Sequence, residues 1–150
     1  MIRIIGLGSP FGDDQVGWRV VESLRGRLPD TIDLVALDRP GATLINWMQR
    51  VEHLVLIDAV CSGAEPGSLF RLRPAELPEE RSHYSSHDLA LRDTLRLAES
   101  LDCRPGLVDI YAIELDRNQG EGLSPAAEAA VRVLSSRIVK DLRGSGSSTR

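Results

Sequence analysis

The sequence predicts an α/β protein with a single domain and three layers. Helices should cover both faces of a twisted, mostly parallel five-stranded sheet that has one antiparallel edge strand. Two observations predict this fold. Short apolar runs rich in β-branched residues alternate with segments whose apolar residues recur at helical spacing. The chain also has 150 residues, 42% of them hydrophobic and 27% charged, which suits one buried core and not two domains.

The first half of the chain predicts three strands and two helices. Residues 2–7 form an apolar run between glycines, which is typical of a buried parallel strand. A helix follows, with Val16, Val20, Val21, Leu24 and Leu28 at helical spacing. The pattern then repeats as a strand over residues 32–37, a helix over about 42–51, and a strand over 53–57 that ends at Asp58.

The second half predicts two strands and two helices. A Pro-Gly turn separates the third strand from a short strand over 68–72, which we expect to be the antiparallel edge. A polar loop over 74–86 precedes a helix with Asp88 near its start and an apolar stripe of Leu91, Leu95, Ala98 and Leu101. The last strand covers 107–115. The last helix begins with Ser124 as N-cap and Pro125, and should end at Gly144. We therefore expect a domain over 1–143 and a disordered tail over 144–150.

Composition excludes several classes of function. The net charge is −4 and no cluster of Lys and Arg occurs, so nucleic acid is not an expected partner. No apolar run approaches the roughly 20 residues that span a bilayer, and the chain begins directly in a strand, so we expect a cytoplasmic protein without membrane contact. Cys61 and Cys103 form neither a CxxC pair nor a disulfide framework, and both should be buried.

Carboxylates follow two of the predicted strands. Parallel sheets bind ligands beyond the carboxyl ends of their strands, where the strand order reverses. Asp14 follows the first strand and Asp58 ends the third, so both should lie at one rim if these strands are neighbours. Asp13 has a simpler interpretation as the cap of the helix that follows, and Asp58 one as a strand-end residue bonded to nearby backbone.

Other chemistries lack their residues. Gly6 and Gly8 suggest a dinucleotide fingerprint, but Phe11 occupies its third glycine position and an acidic pair would repel phosphate. No GxSxG elbow, activated cysteine or Walker lysine is present.

A divalent metal site remains the best chemical candidate. His83 and His87 are four residues apart but lack the Glu of an HExxH helix, and His53 should be a surface residue. His87 could join Asp14 and Asp58 in an O,O,N set that suits nickel, zinc or cadmium, although a lone His is more often structural.

The motifs "GLGSPFGDDQVGWRVVESL", "HLVLIDAVCSGAEPGS", "SSHDLALRDTL" and "GLSP", in this order, resemble the hydrogenase maturation endopeptidases. These proteases process the large subunit of nickel-iron hydrogenases. The resemblance covers nearly the whole chain and implies a twisted sheet between helices. It implies that Asp14, Asp58 and His87 recognise nickel carried by the precursor, after which a short C-terminal peptide is removed. Asp13 would hold the loop and cap the helix while Asp14 points inward.

The sequence departs from the family pattern at three places. Ser9 stands where Asn is common, Asp14 where some members have Glu, and "LDRPGA" replaces a stretch richer in glycine. The stiff Arg39-Pro40 loop should affect which precursor is accepted. Nickel could act as a Lewis acid or position a water, with a carboxylate as base. Alternatively, nickel only docks the precursor and Asp38 or another rim group assists cleavage. The rival functions are a non-catalytic metal-recognition or chaperone module for the immature subunit and a nucleotide-binding domain.

Overall fold

The computed structural model describes residues 1–77, 91–117 and 120–147, without the side chains of 145–147. Within these residues there are five strands, three α-helices and three short 3₁₀ helices. The strands are β1 (Ile2–Gly8), β2 (Ile32–Asp38), β3 (His53–Val60), β4 (Leu69–Leu72) and β5 (Leu107–Glu114). The α-helices are α1 (Val16–Leu24), α2 (Leu91–Ser100) and α3 (Pro125–Ser147). The 3₁₀ helices are Gly12–Gln15, Gly41–Trp47 and Pro74–Glu76.

The strands form one sheet in the order β2-β1-β3-β5-β4. β1 runs parallel to β2 and β3, and β3 runs parallel to β5. After β1 the chain moves outward to β2 and then returns to the other side of β1 for β3. The strand order therefore reverses between β1 and β3, and this crevice is where such sheets bind ligands.

The antiparallel edge strand is confirmed, although β4 does not pair with the strand that precedes it in the sequence. It pairs with β5, with Leu69 opposite Ile113 and Leu72 opposite Ile110. β5 lies between β3 and β4 because the parallel crossover through α2 returns the chain to the edge of β3.

Helices cover both faces of the sheet, which confirms the three-layer architecture. Alternate strand residues point to opposite faces, so Ile4 packs with α1 and α3, whereas Ile5 packs with α2 and the 3₁₀ helix Gly41–Trp47. β1 and β3 are buried on both faces, which explains their continuous apolar sequence. No helix in the described ranges is long and apolar enough to cross a membrane.

Two helix predictions differ from the structure. The segment predicted as an α-helix over 42–51 is the 3₁₀ helix Gly41–Trp47, in which Met48 N–H donates to the Ile45 carbonyl at 3.0 Å. The apolar spacing correctly places Leu44 and Met48 in the core, but it does not determine the backbone hydrogen-bond pattern. Helix α3 continues through Gly144 to Ser147, across the predicted domain boundary, because a glycine weakens a helix by only about 1 kcal/mol. Residues 148–150 lie outside the described part.

Three side-chain predictions are also wrong. His53 is partly buried, with its Nε2 2.8 Å from Asp109 Oδ2 and its side chain 19% exposed. Leu101 lies beyond the end of α2 and is exposed, so it does not belong to the apolar stripe that buries Leu95 and Ala98. Cys61 is buried as expected, whereas Cys103 is only partly buried, and both are free thiols.

Candidate active site at the carboxyl edge of the sheet

The turn after β1 fixes the position of Asp14. Ser9 N–H donates to the Asp14 carbonyl at 3.2 Å, and the Ser9 hydroxyl donates to the Asp14 carboxylate. A Cβ on Gly8 would lie 2.3 Å from the Asp14 carbonyl oxygen, so the chain can fold back here only with glycine at that position. The first residues after the strand therefore both shape the turn and orient its carboxylate.

Close packing of α1 on the sheet places the acidic pair at the strand ends. A Cβ on Gly17 would lie 2.5 Å from the Leu7 carbonyl oxygen and 2.6 Å from that of Ile57. A Cβ on Gly6 would lie 2.2 Å from the Gly17 carbonyl oxygen. Any side chain at Gly6 or Gly17 would push α1 away from β1 and β3. Gly17 follows Asp14 by three residues, so this contact also sets the distance from Asp14 to the crevice.

Asp58 lies near the end of β3, on the other side of the crevice. β1 and β3 are paired neighbours, as the sequence analysis required, with Gly6 opposite Ile57. The Ala59 N–H donates to Asp58 Oδ1 at 2.8 Å. Desolvation, and then the negative charge of Asp14, raise the pKa of Asp58 to about 7, against the lowering effect of the Ala59 N–H. The structure therefore brings Asp14 and Asp58 close enough to repel each other.

A cation would fit between these carboxylates. Two negative groups that disfavour each other's charge become favourable ligands when a divalent ion offsets both, and carboxylate oxygens are accepted by nickel and zinc. The third predicted ligand, His87, and its neighbour His83 lie outside the described residues. In the ranges that are described, no three His, Cys, Asp or Glu side chains assemble into a metal-binding group. Asp14 and Asp58 are thus two members of a ligand set whose histidine stays a prediction.

Asp13 has a different role from its neighbour. Its carboxylate is fully buried and accepts hydrogen bonds from Ser124 N–H at 2.7 Å, Ser124 Oγ at 2.7 Å and Asp116 N–H at 2.9 Å. The predicted cap on the following helix is wrong, because no side chain caps the 3₁₀ helix Gly12–Gln15 or α1. Asp13 instead joins the turn after β1 to the start of α3, where Ser124 Oγ accepts the Ala127 N–H as the predicted N-cap. This contact spans 111 residues and has no local sequence signal.

Glu114 is a buried carboxylate that the sequence analysis missed. It ends β5 opposite Val60 and accepts hydrogen bonds from the N–H and hydroxyl groups of Ser62. These bonds hold the loop that follows β3. Val60, which lies opposite Glu114, is two residues beyond Asp58. Its place at the end of a parallel strand, the same signal that selected Asp58, could have identified it.

Asp38 lies at the end of β2, opposite Gly8. Its side chain is half exposed and forms an ion pair with Arg39 Nε at 2.8 Å. Arg39 has a φ of 43° and donates its N–H to the Gly8 carbonyl at 3.0 Å. The Arg39-Pro40 loop therefore borders the turn that holds Asp14.

The strand order and the position of the carboxylates define the general class of this protein. This chain is a single-domain α/β protein whose candidate site lies at the switch point of a mostly parallel sheet. The family model described as hydrogenase maturation protease matches residues 18–141. The chain belongs to the hydrogenase maturation protease family, and it is a peptidase of hydrogenase maturation.

Individual relatives agree over nearly the full length. The chain is 30% identical to the hydrogenase 2 maturation protease of Escherichia coli K12, over 97% of this chain and 92% of the relative. It is similar to the structure of the hydrogenase maturating endopeptidase HybD from E. coli, with a TM-score of 0.81, 28% identity and coverage of 97% and 93%. The HycI protease from Thermococcus kodakarensis KOD1 shares the fold, with a TM-score of 0.73, 20% identity and coverage of 95% and 92%.

Proposed function

We propose that this peptidase removes a short C-terminal peptide from the nickel-loaded precursor of a nickel-iron hydrogenase large subunit, and that it recognises the inserted nickel. The observation that carries the proposal is the pair of carboxylates at the switch point, Asp14 and Asp58, whose mutual repulsion a cation would relieve. Membership of the maturation protease family supports the precursor as substrate.

The metal belongs to the substrate in this proposal. Asp14 and Asp58 would supply oxygen ligands and His87 a nitrogen ligand, a set suited to a borderline divalent ion. Zinc or cadmium should therefore replace nickel in vitro. Holding both carboxylates ionised is costly, as the raised pKa of Asp58 indicates, and a precursor that brings a positive ion offsets this cost. A precursor without metal would meet the same repulsion and bind weakly.

The reaction is hydrolysis of one peptide bond. A water oxygen adds to the scissile carbonyl carbon, the carbon–nitrogen bond breaks, and the leaving amine takes up a proton. In one version, nickel polarises the carbonyl or positions the water and a carboxylate acts as base. In the other version, nickel only docks the precursor, and Asp38 or another group at the rim assists the cleavage.

The alternative function is a metal-recognition or chaperone module that binds the immature subunit without cutting it. It would use the same carboxylates, but it does not account for the family's peptidase activity. We also propose the cytoplasm as the compartment of maturation, since the free thiols of Cys61 and Cys103 suit a reducing environment.

The test is intact-mass spectrometry of a nickel-loaded large-subunit precursor after incubation with the protein. The wild type should remove one C-terminal peptide, and Asp14→Ala and His87→Ala should slow this cleavage by at least about 100-fold, because each removes a ligand of the recognised metal. Asp30→Ala is the matched control, since it deletes an exposed carboxylate before β2, at the opposite edge of the sheet.

Three results would separate the possibilities. A nickel-free precursor should remain uncut, and cutting it at the same rate would refute recognition of nickel. An unchanged mass with the nickel-loaded cognate precursor would favour the recognition module. Full activity of Asp14→Ala and His87→Ala would refute the ligand set while leaving the peptidase itself intact.

A further inference from the structure

Phe11 is the most exposed large apolar side chain in the described part of the protein, with 68% of its surface open to solvent. Pro10 beside it is also exposed, whereas Gly12 is buried, and Ser9 and Asp13 are only 3% and 0% exposed. A ring exposed to this extent contributes little to the core. The apolar surface of the ring is thus available for contact with another molecule, and what distinguishes Phe11 from the other exposed apolar residues is the turn to which it belongs.

The turn that presents Phe11 is held rigidly. Gly12 N–H donates to the Glu121 carbonyl at 3.1 Å, and Gln15 Nε2 donates to the carbonyls of Gly12 and Glu121, both at 3.2 Å. Gly12 has a φ of 50°, so the chain reverses immediately after Phe11 and directs the next residue, Asp13, inward. Phe11 is thus fixed outward by the same turn that buries Asp13.

The same turn also orients the candidate metal ligand. The Phe11 carbonyl accepts the Asp14 N–H at 3.0 Å. The residue that carries the exposed ring therefore belongs to the same turn as the candidate metal ligand Asp14. A large apolar surface on a preorganised turn, beside the site, is a typical feature of a binding hot spot, because little conformational entropy is lost when it is covered.

We propose that Phe11 is a specificity-determining residue that packs against an apolar side chain of the precursor, in the segment beside the scissile bond. This inference rests on the proposed function and names the contact that accompanies metal recognition. The carboxylates would select for the inserted metal, while Phe11 would select for the protein that carries it. The occupant is the precursor because Phe11 adjoins the turn of Asp14, which the precursor must reach.

The test compares Phe11→Ala with Val133→Ala in steady-state cleavage of the nickel-loaded precursor. Val133 is also an exposed apolar residue, 51% exposed, but it lies on α3. Phe11→Ala should raise KM about tenfold and change kcat by less than about twofold, since it removes contact area and leaves the reacting groups in place. Val133→Ala should change neither constant. Phe11→Leu should restore most of the affinity, and the Tm of all three variants should equal that of the wild type.

The outcomes separate this inference from the proposed function. If the wild type cuts the precursor and Phe11→Ala has the KM of the wild type, the inference is wrong and the proposed function stands. A loss of kcat at constant KM would also overturn it, since Phe11 would then act through the turn. If the wild type does not cut the precursor, the proposed function fails. The inference about Phe11 is then tested by measuring precursor binding with biolayer interferometry. Equal Kd values for the wild type and Phe11→Ala would refute it. Dissociation of a wild-type dimer by Phe11→Ala would assign the ring to self-association instead.

Discussion

Asp13 and Asp14 are adjacent in the sequence, yet they belong to two opposite regions of the site. Asp13 lies on the side that faces the loop before α3, where three hydrogen-bond donors surround a fully buried carboxylate. Asp14 faces β3, where the nearby charged group is a second carboxylate, Asp58. The carboxylate of Asp13 finds its hydrogen-bond donors within the chain, whereas the carboxylate of Asp14 lies near a second group of the same charge.

This difference separates a structural carboxylate from a functional one. A carboxylate that only stabilises the fold needs its donors within the chain, because burial without them costs several kcal/mol. A carboxylate that binds something from outside must keep a place for it. In the metal-free protein, Asp14 and Asp58 repel each other when both are ionised. The attraction of each carboxylate to a bound cation would outweigh this repulsion. The following predictions test this contrast.

The largest effect on stability is expected at Asp13. Asp13→Ala should lower the free energy of unfolding by about 3 kcal/mol, because it removes the acceptor of the buried Ser124 N–H and hydroxyl and breaks the bond from the Asp116 N–H. Asp14→Ala should cost less than about 1 kcal/mol, since its loss also relieves the repulsion on Asp58. Urea denaturation monitored by circular dichroism measures both. Equal losses for the two variants would show that the proposed division between Asp13 and Asp14 does not exist.

A smaller, pH-dependent effect is expected at Asp58. Folding raises the pKa of Asp58 from 3.8 to about 7, so the folded state holds this proton more tightly than the unfolded state. The resulting stabilisation is complete below pH 4 and is lost as the pH rises through 7. Asp58→Asn imitates the protonated form and should match the wild type near pH 4. Above pH 7 it should be more stable. The full pKa shift corresponds to about 4 kcal/mol, and partial exposure of the side chain reduces the expected gain to about 2 kcal/mol.

The measurement is the free energy of unfolding in chelator, at several pH values between 4 and 8, for the wild type and Asp58→Asn. Asp38→Asn provides the control, because its carboxylate is half exposed and paired with Arg39. A lower stability of Asp58→Asn at pH 8 would mean that its charge is stabilised by the fold, against the expectation.

The smallest effect is expected at Asp38. Removal of its exposed ion pair with Arg39 should change stability by less than about 0.5 kcal/mol. The precursor cleavage rate of Asp38→Asn should stay within about threefold of the wild type if the carboxylates of the crevice perform the chemistry. Single-turnover cleavage measures this rate, with Asp30→Asn as a control for the lost charge. A loss of 100-fold or more would instead assign the assisting role to Asp38.

Local sequence patterns predicted the fold well where one physical cause dominates. Ile4, Ile5, Val55 and Leu56 are buried in continuous apolar strands, and such strands occur in parallel sheets covered on both faces. The apolar pattern did not predict the type of helix where two types of helix would bury the same residues. Leu44 and Met48 enter the core from a 3₁₀ helix as well as they would from an α-helix. Gly144 likewise does not end α3, because its cost is small compared with the rest of a 23-residue helix.

Only part of the site could be predicted in the same way. Asp14 and Asp58 follow parallel strands, and the carboxyl ends of neighbouring parallel strands share one edge, so their proximity followed from position once β1 and β3 were neighbours. The hydrogen-bond partners of Asp13 could not be predicted. Its partners Asp116 and Ser124 are more than 100 residues away, and a local reading favours the nearest helix, which it does not cap.

The sequence by itself determined the class of fold and the two carboxylates at strand ends, because periodicity, glycine positions and strand ends are local properties. The resemblance of its motifs indicated the family. The tertiary structure alone decided which groups hold the Asp13 carboxylate, namely Ser124 and the Asp116 N–H. It also decided that His53 is paired with Asp109 and that Phe11 stands in solvent. These facts depend on donors, charges and surfaces that distant segments bring together, and local patterns contain no information about them.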